Sequence, residues 1–198
     1  MSPDPVEIRR ATPERVPALA AMLARAFADD PMIAVSIAAD GREERMRRFF
    51  TLIDEDWADL GALYEVGDAH GVAAWLPPGH GQDLADQNAA KQEAFHALSP
   101  DRGVKHDALW DWIESEMPDE PVWYLDQIGV DPVRQGEGIG GALIRFGLDR
   151  ARADEVPAFL ETAIAANVGY YERFGFRVTV HGDAPLEGPH IWFMRWEP

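Results

Sequence analysis

The sequence predicts a single α/β domain spanning residues 1–198, and three observations carry that prediction. Short β-branched and aromatic runs alternate with segments whose apolar residues recur at helical spacing. Trp123–Ala153 reads as an apolar strand, a glycine-rich turn and an amphipathic helix in immediate succession. The length of 198 residues, 46% of them hydrophobic and 27% charged, suits one soluble domain with a sizeable core.

The elements follow in chain order. Val6–Arg10 reads as a first strand. Thr12-Pro13-Glu14 has the form of a helix start, with a capping hydroxyl, proline in the first turn and an acid beside it. Val16, Leu19, Leu23 and Phe27 then share one apolar face, and Asp29-Asp30-Pro31 breaks the pattern. A second helix begins near Asp40 or Gly41, with Met46, Phe49, Phe50, Ile53 and Trp57 inward. Leu63–Val66 and Gly71–Leu76 form a hairpin around Gly67-Asp68. Gln82 to Met117 reads as two helical pieces split near Ser99-Pro100-Asp101. After the central strand and motif helix come a buried strand at Ala158–Thr162 and a short helix at Val168–Phe174 stopped by Gly175. Phe176–Val180 and Ile191–Trp196 close the sheet, whose last strands near Trp192 and Trp196 offer an edge for a homodimer.

Composition excludes several classes. There are no cysteines, hence no disulfide framework and no thiolate chemistry. The opening MSPDPVEI has neither a basic region nor an apolar core, and no run approaches the ~18 apolar residues of a membrane helix, so a cytoplasmic protein with no membrane partner is expected. A net charge of −17, with 35 acids against 18 bases, argues against nucleic acid. The acidity favours a cationic, amine-bearing acceptor, or serves solubility alone. The six histidines are scattered without a His-Glu-x-x-His pair, so no metal site is expected, and no Gly-x-Ser-x-Gly elbow is present.

Gly136, Gly138, Gly140 and Gly141 leave nearly bare backbone where the motif helix begins. Free N–H groups and the positive end of the helix dipole meet there, a suitable seat for phosphate. Gly136-x-Gly138-x-x-Gly141 also satisfies a dinucleotide fingerprint, with Glu161 near the offset of a ribose-binding acid, which makes a nicotinamide-dependent oxidoreductase a rival reading. Against it, Asp131–Gln135 separates the strand from the first glycine, and the motif comes late in the chain. No Gly-Lys-Ser/Thr is present, so a P-loop is excluded.

Gln135-x-x-Gly138-x-Gly140 after Val130-Asp131-Pro132 resembles the acetyl-CoA loop of the GNAT N-acetyltransferases. Asn167-Val-Gly-Tyr-Tyr171-Glu-Arg-Phe-Gly175-Phe176 is similar to a second block of the same family. A wider likeness to puromycin N-acetyltransferases runs through Arg10-Ala-Thr, Ala26-Phe-Ala-Asp29, Ala74-Trp75 and Pro157–Thr162. The resemblance implies a mixed, mostly antiparallel sheet of six to seven strands with helices on both faces. Its fourth and fifth strands, Trp123–Val130 and Ala158–Thr162, would part to admit the cofactor. It implies acetyl-CoA as cofactor and direct transfer of acetyl to a small-molecule primary amine such as an aminonucleoside; a non-catalytic acyl-CoA sensor is the alternative.

The implied cofactor contacts are Ile128, Gly129 and Val130 on the strand, Arg134, Gln135, Gly136, Glu137, Gly138, Ile139, Gly140 and Gly141 in the loop, and Asn167. Arg134, Arg145, Arg173 and Arg177 would offset the acidic field around an anionic cofactor. Acyl transfer needs a polarised carbonyl, an amine that loses a proton and a thiolate that gains one. The Val130 amide is the candidate for the first and Tyr171 the implied proton donor for the last, with Tyr170 packing beside it. Asp30, Asp126 and Glu161 are the candidate bases. Phe27, Asp30, Trp75, Trp110 and Tyr124 are the candidate acceptor-site residues.

Overall fold

The computed structural model describes residues 6–198. Residues 1–5, the front of the stretch read as lacking a signal peptide, lie outside the described residues, as do the side chains of 81–88. Seven strands form one sheet in the order β1-β2-β3-β4-β5-β7-β6: β1 Ile8–Arg10, β2 Leu63–Val66, β3 Gly71–Leu76, β4 Trp123–Val130, β5 Ala158–Thr162, β6 Arg177–Asp183 and β7 His190–Trp196. Every neighbouring pair is antiparallel except β4 and β5. The edge expected near Trp192 and Trp196 is not there: β7 is paired on both sides, with β5 and β6, and β6 is the edge strand. The helices are α1 Val16–Ala26, α2 Pro31–Ser36, α3 Arg42–Asp59, α4 Gly81–His96, α5 Val104–Ser115, α6 Ile139–Ala153 and α7 Ala165–Glu172.

Two apolar cores flank the sheet. One joins α1, α3 and α5 through Leu19, Leu23, Phe49, Phe50 and Leu109; the other joins α6 and α7 through Leu143, Ile144, Tyr171 and Phe176. The helix-forming signals are local ones. Gly41, left-handed at φ 59°, begins α3, and Gly175 at φ 100° turns the chain out of α7. The break at Asp29-Asp30-Pro31 is followed at once by α2, a short helix absent from the sequence reading. Asp30 accepts hydrogen bonds from the Met32 and Ile33 amides there, so the breaker is also a start signal. In place of a helix cap at Thr12, Pro13–Arg15 form a 3-10 turn leading into α1, and α7 begins three residues before the expected Val168.

Two irregularities place the site. The parallel pairing of β4 with β5 covers only Trp123↔Ala158 and Tyr124↔Phe159, and beyond it the two strands diverge. Opposite β3 the register steps from Trp75↔Leu125 to Ala74↔Gln127, which leaves Asp126 as the extra residue of a β-bulge. The bulge turns Asp126 and Gln127 towards the same helix: Trp57 Nε1 donates to Asp126 at 3.0 Å, and the Gln127 amide nitrogen donates to the buried Asp54. Among the described residues, no helix is long and apolar enough to cross a membrane.

Candidate active site

A cavity of about 590 Å³ passes through the gap between β4 and β5. Residues of both cores line it, Phe49 and Phe50 from one side of the sheet and Ile139 and Tyr171 from the other, so the opening connects the two faces. The Asp131 N–H turns to the His70 carbonyl on the β3 side. Strand alternation therefore aims the Val130 and Ile128 amides into the opened side, where β5 no longer meets them.

At one margin lies the glycine loop. Asp131 accepts from the Val133 amide at 3.1 Å and from Arg25 at 2.5 Å, and these bonds fix the turn out of β4. Gly136 and Gly138 take φ 85° and 83°, and no atom lies within 4 Å of where a Cβ would stand on either. Such backbone suits glycine, and a side chain at either position would be strained. The first recorded bond of α6 runs from Ala142 N–H to the Gly138 carbonyl. Ile139, Gly140 and Gly141 thus present amides without an intrahelical acceptor. Arg145 lies 3.4 Å from the Cβ position of Gly141, and the Arg173 guanidinium stands over the Tyr170 ring at 4.7 Å. Tyr170 in turn brings its hydroxyl to 3.1 Å from the Cβ position of Gly140. Bare amides, a helix dipole and nearby guanidiniums fit an anionic diphosphate.

Three carboxyls that the sequence scatters over 131 positions line the cavity, Asp126 and Glu161 from the parted strands and Asp30 from the start of α2. The Tyr124 hydroxyl donates to Glu161 Oε1 at 2.9 Å, while Oε2 has no protein partner. Burial, then the neighbouring Asp126 charge, pushes Glu161 up to about 8. Burial pushes Asp126 up to about 7 against the opposing hydrogen bond from Trp57. Asp30 is raised for the same first reason, and its two backbone donors counter the shift. The Tyr171 hydroxyl is raised by burial and then by the Glu161 charge, so it stays protonated throughout the neutral range.

The expected site residues divide. Phe27, Asp30, Ile128, Val130, Arg134, Gln135, Gly136, Gly138, Ile139, Gly140, Asn167 and Tyr171 all line the cavity, as do Asp126, Glu161, Trp110 and Tyr170. Trp75 does not. It is fully buried against α6, donating from Nε1 to the Leu143 carbonyl at 3.1 Å, because its strand position faces the opposite core from Phe27. Tyr124 stands behind Glu161 and reaches the cavity only through that carboxyl. Gly129 lies under α1, where a Cβ would meet Leu23 at 2.6 Å, and Gly141 packs towards Phe174. Glu137 pairs with Arg134 at 3.1 Å, and Arg177 bonds the Phe176 carbonyl beside its own strand. The sequence reading missed Trp57 and Asp54 as supports of β4. Both occupy an ordinary inward face of α3, and only the mid-helix acid at position 54 hinted at a buried partner.

The model of the Acetyltransferase (GNAT) family matches residues 84–176. An uncharacterized N-acetyltransferase of Schizosaccharomyces pombe is 27% identical over 175 residues, 79% of this chain and 68% of the relative. Among solved structures, one described as histone acetyltransferase HPA2 and related acetyltransferase from Corynebacterium glutamicum superposes with a TM-score of 0.72 at 23% identity, over 98% of this chain and 96% of that one. A Drosophila melanogaster polyamine N-acetyltransferase, an enzyme that forms N-acetylagmatine, gives 0.60 at 13% identity over 98% and 100%. The fold is the GNAT fold, with its open, mostly antiparallel seven-stranded sheet.

Proposed function

On the premise of a GNAT-superfamily acyltransferase, which the family match and the yeast relative support, we propose that this protein moves an acetyl group from acetyl-CoA to the primary amine of a small molecule in a ternary complex. One observation carries the reading: a single cavity joins the bare glycine loop, the parted strands and a cluster of raised carboxyls.

The amides of Gly136 to Gly141 would hold the cofactor's diphosphate, with Arg134, Arg145 and Arg173 lending positive charge. Asn167, within 3.4 Å of the Thr162 hydroxyl, would bond the extended arm. Acetyl-CoA supplies an activated acetyl thioester when bound. The open amides of Val130 and Ile128 supply fixed dipoles for a carbonyl oxygen in the gap.

Glu161 is the proposed base. An ammonium must lose its proton before it attacks, and a base serves best when its pKa lies near the working pH. Burial and the Asp126 charge bring Glu161 there, and Tyr124 holds the carboxyl in place. Asp126, fixed by Trp57, keeps Glu161 basic. Tyr171 would donate a hydrogen bond to the departing sulfur. Its raised pKa suits that role better than full proton transfer, because a thiolate near pKa 8.5 is the weaker base.

The test is thiol release from acetyl-CoA across a panel of primary amines. Turnover with at least one amine is expected, and puromycin belongs in the panel because of the wider sequence likeness. Acetyl-CoA binding without turnover for any amine would favour an acyl-CoA sensor, and stabilisation by NAD alone would favour the oxidoreductase. The cytoplasm, where acetyl-CoA is available, is the proposed compartment.

A further inference from the structure

On the α1 and α3 face of the sheet the cavity is walled by Phe27, Phe49, Phe50, Ile53, Ile33 and Trp110, which make this side its ring-walled arm. The rings form a continuous array: Phe27 to Phe50 at 5.2 Å between centroids, Phe50 to Phe49 at 5.5 Å and Phe49 to Phe95 at 5.5 Å. Behind them His106, half stacked on Phe95 and in contact with Trp110, is held down to about 4 by burial and is uncharged at neutral pH. Asp30, the acid nearest in sequence to this arm, is engaged in capping α2. Asp30 lines the same cavity as Asp126 and Glu161. Arg134 is the one cation among the described lining residues, and it belongs to the glycine loop.

We infer that the acceptor is a monoamine with an aromatic or bulky apolar body, its ammonium at Glu161 and Asp126 and its body in the ring-walled arm. This rests on the acyl-transfer reading and narrows it. A short diamine or polyamine extended into the arm would place its second ammonium among hydrocarbon, where an unpaired charge is costly. An aryl group there leaves water for a surface of its own kind.

Calorimetry and initial rates with 2-phenylethylamine, putrescine and spermidine separate the two claims. The inference expects 2-phenylethylamine to bind about 30- to 100-fold more tightly than putrescine, the gain from burying one ring. Ile53→Asp, which sets a carboxylate in the arm, should shrink that preference at least about tenfold; the volume-conserving Ile53→Leu should keep it. Tighter or equal binding of putrescine or spermidine to the native protein overturns the inference. So does a preference that Ile53→Asp, still binding acetyl-CoA, leaves unchanged. If the calorimetric preference stands while no amine releases thiol, the occupant is supported and the acyl-transfer reading falls instead.

Discussion

Glu161→Gln tests the proposed chemistry and the cost of setting it up in one variant. Glutamine keeps an acceptor for the Tyr124 hydroxyl and nearly the same volume, so the packing around β5 is preserved. In the folded protein the carboxyl titrates at about 8 instead of 4.5. Between those values the folded state holds a proton that the unfolded chain releases. The stability of the native protein therefore falls as pH rises through this window, and the full loss is reached above about 8. Raising a carboxyl that far corresponds to on the order of 4–5 kcal/mol. Glu161 still borders the open cavity, which discounts the gain expected from removing its charge to about 2 kcal/mol at pH 9. Near pH 4 both forms are neutral and the difference should vanish. Urea unfolding at pH 4.5, 7 and 9 reads this directly. In parallel, kcat/KM of the native enzyme should climb with pH as Glu161 ionises, and the variant should lose about 10²- to 10³-fold along with that rise. A variant that is less stable than the native protein at pH 9, or that keeps native kcat/KM with the same pH profile, would refute the assignment.

Three further outcomes are expected. Tyr171→Phe should lower kcat about 10- to 100-fold with acetyl-CoA affinity unchanged, measured by steady-state kinetics beside calorimetry, since it removes only the hydroxyl. Gly147→Ala should destabilise the fold by about 2–3 kcal/mol in a thermal melt, because its Cβ would stand 2.0 Å from the Trp75 ring inside a packed core. Arg145→Ala and Arg173→Ala should each weaken CoA about 3- to 10-fold at low ionic strength, and most of that difference should disappear at about 1 M salt, where the Debye length is ~3 Å.

The sequence by itself determined whatever depends on near neighbours. The β2–β3 hairpin, β4, β5 and the start of α6 lie where periodicity, prolines and glycines put them, since each signal acts within a few residues. The glycine loop was legible for the same reason: left-handed backbone and unpaired helix amides are local properties of Gly136–Gly141. Tertiary structure alone decided the rest. Alternation along β3 could not say which core Trp75 would face, and the answer came from the close approach of α6 at Gly147. Asp126 and Gln127 look like consecutive residues on opposite faces of a strand, and only a bulge set against β3 turns both towards α3. Glu161 reads as one acid among 35, yet burial beside the parted strands and then the Asp126 charge raise it to about 8, against the opposing hydrogen bond from Tyr124. A pKa is set by charges and burial brought from distant parts of the chain, so it exists only once those parts have met.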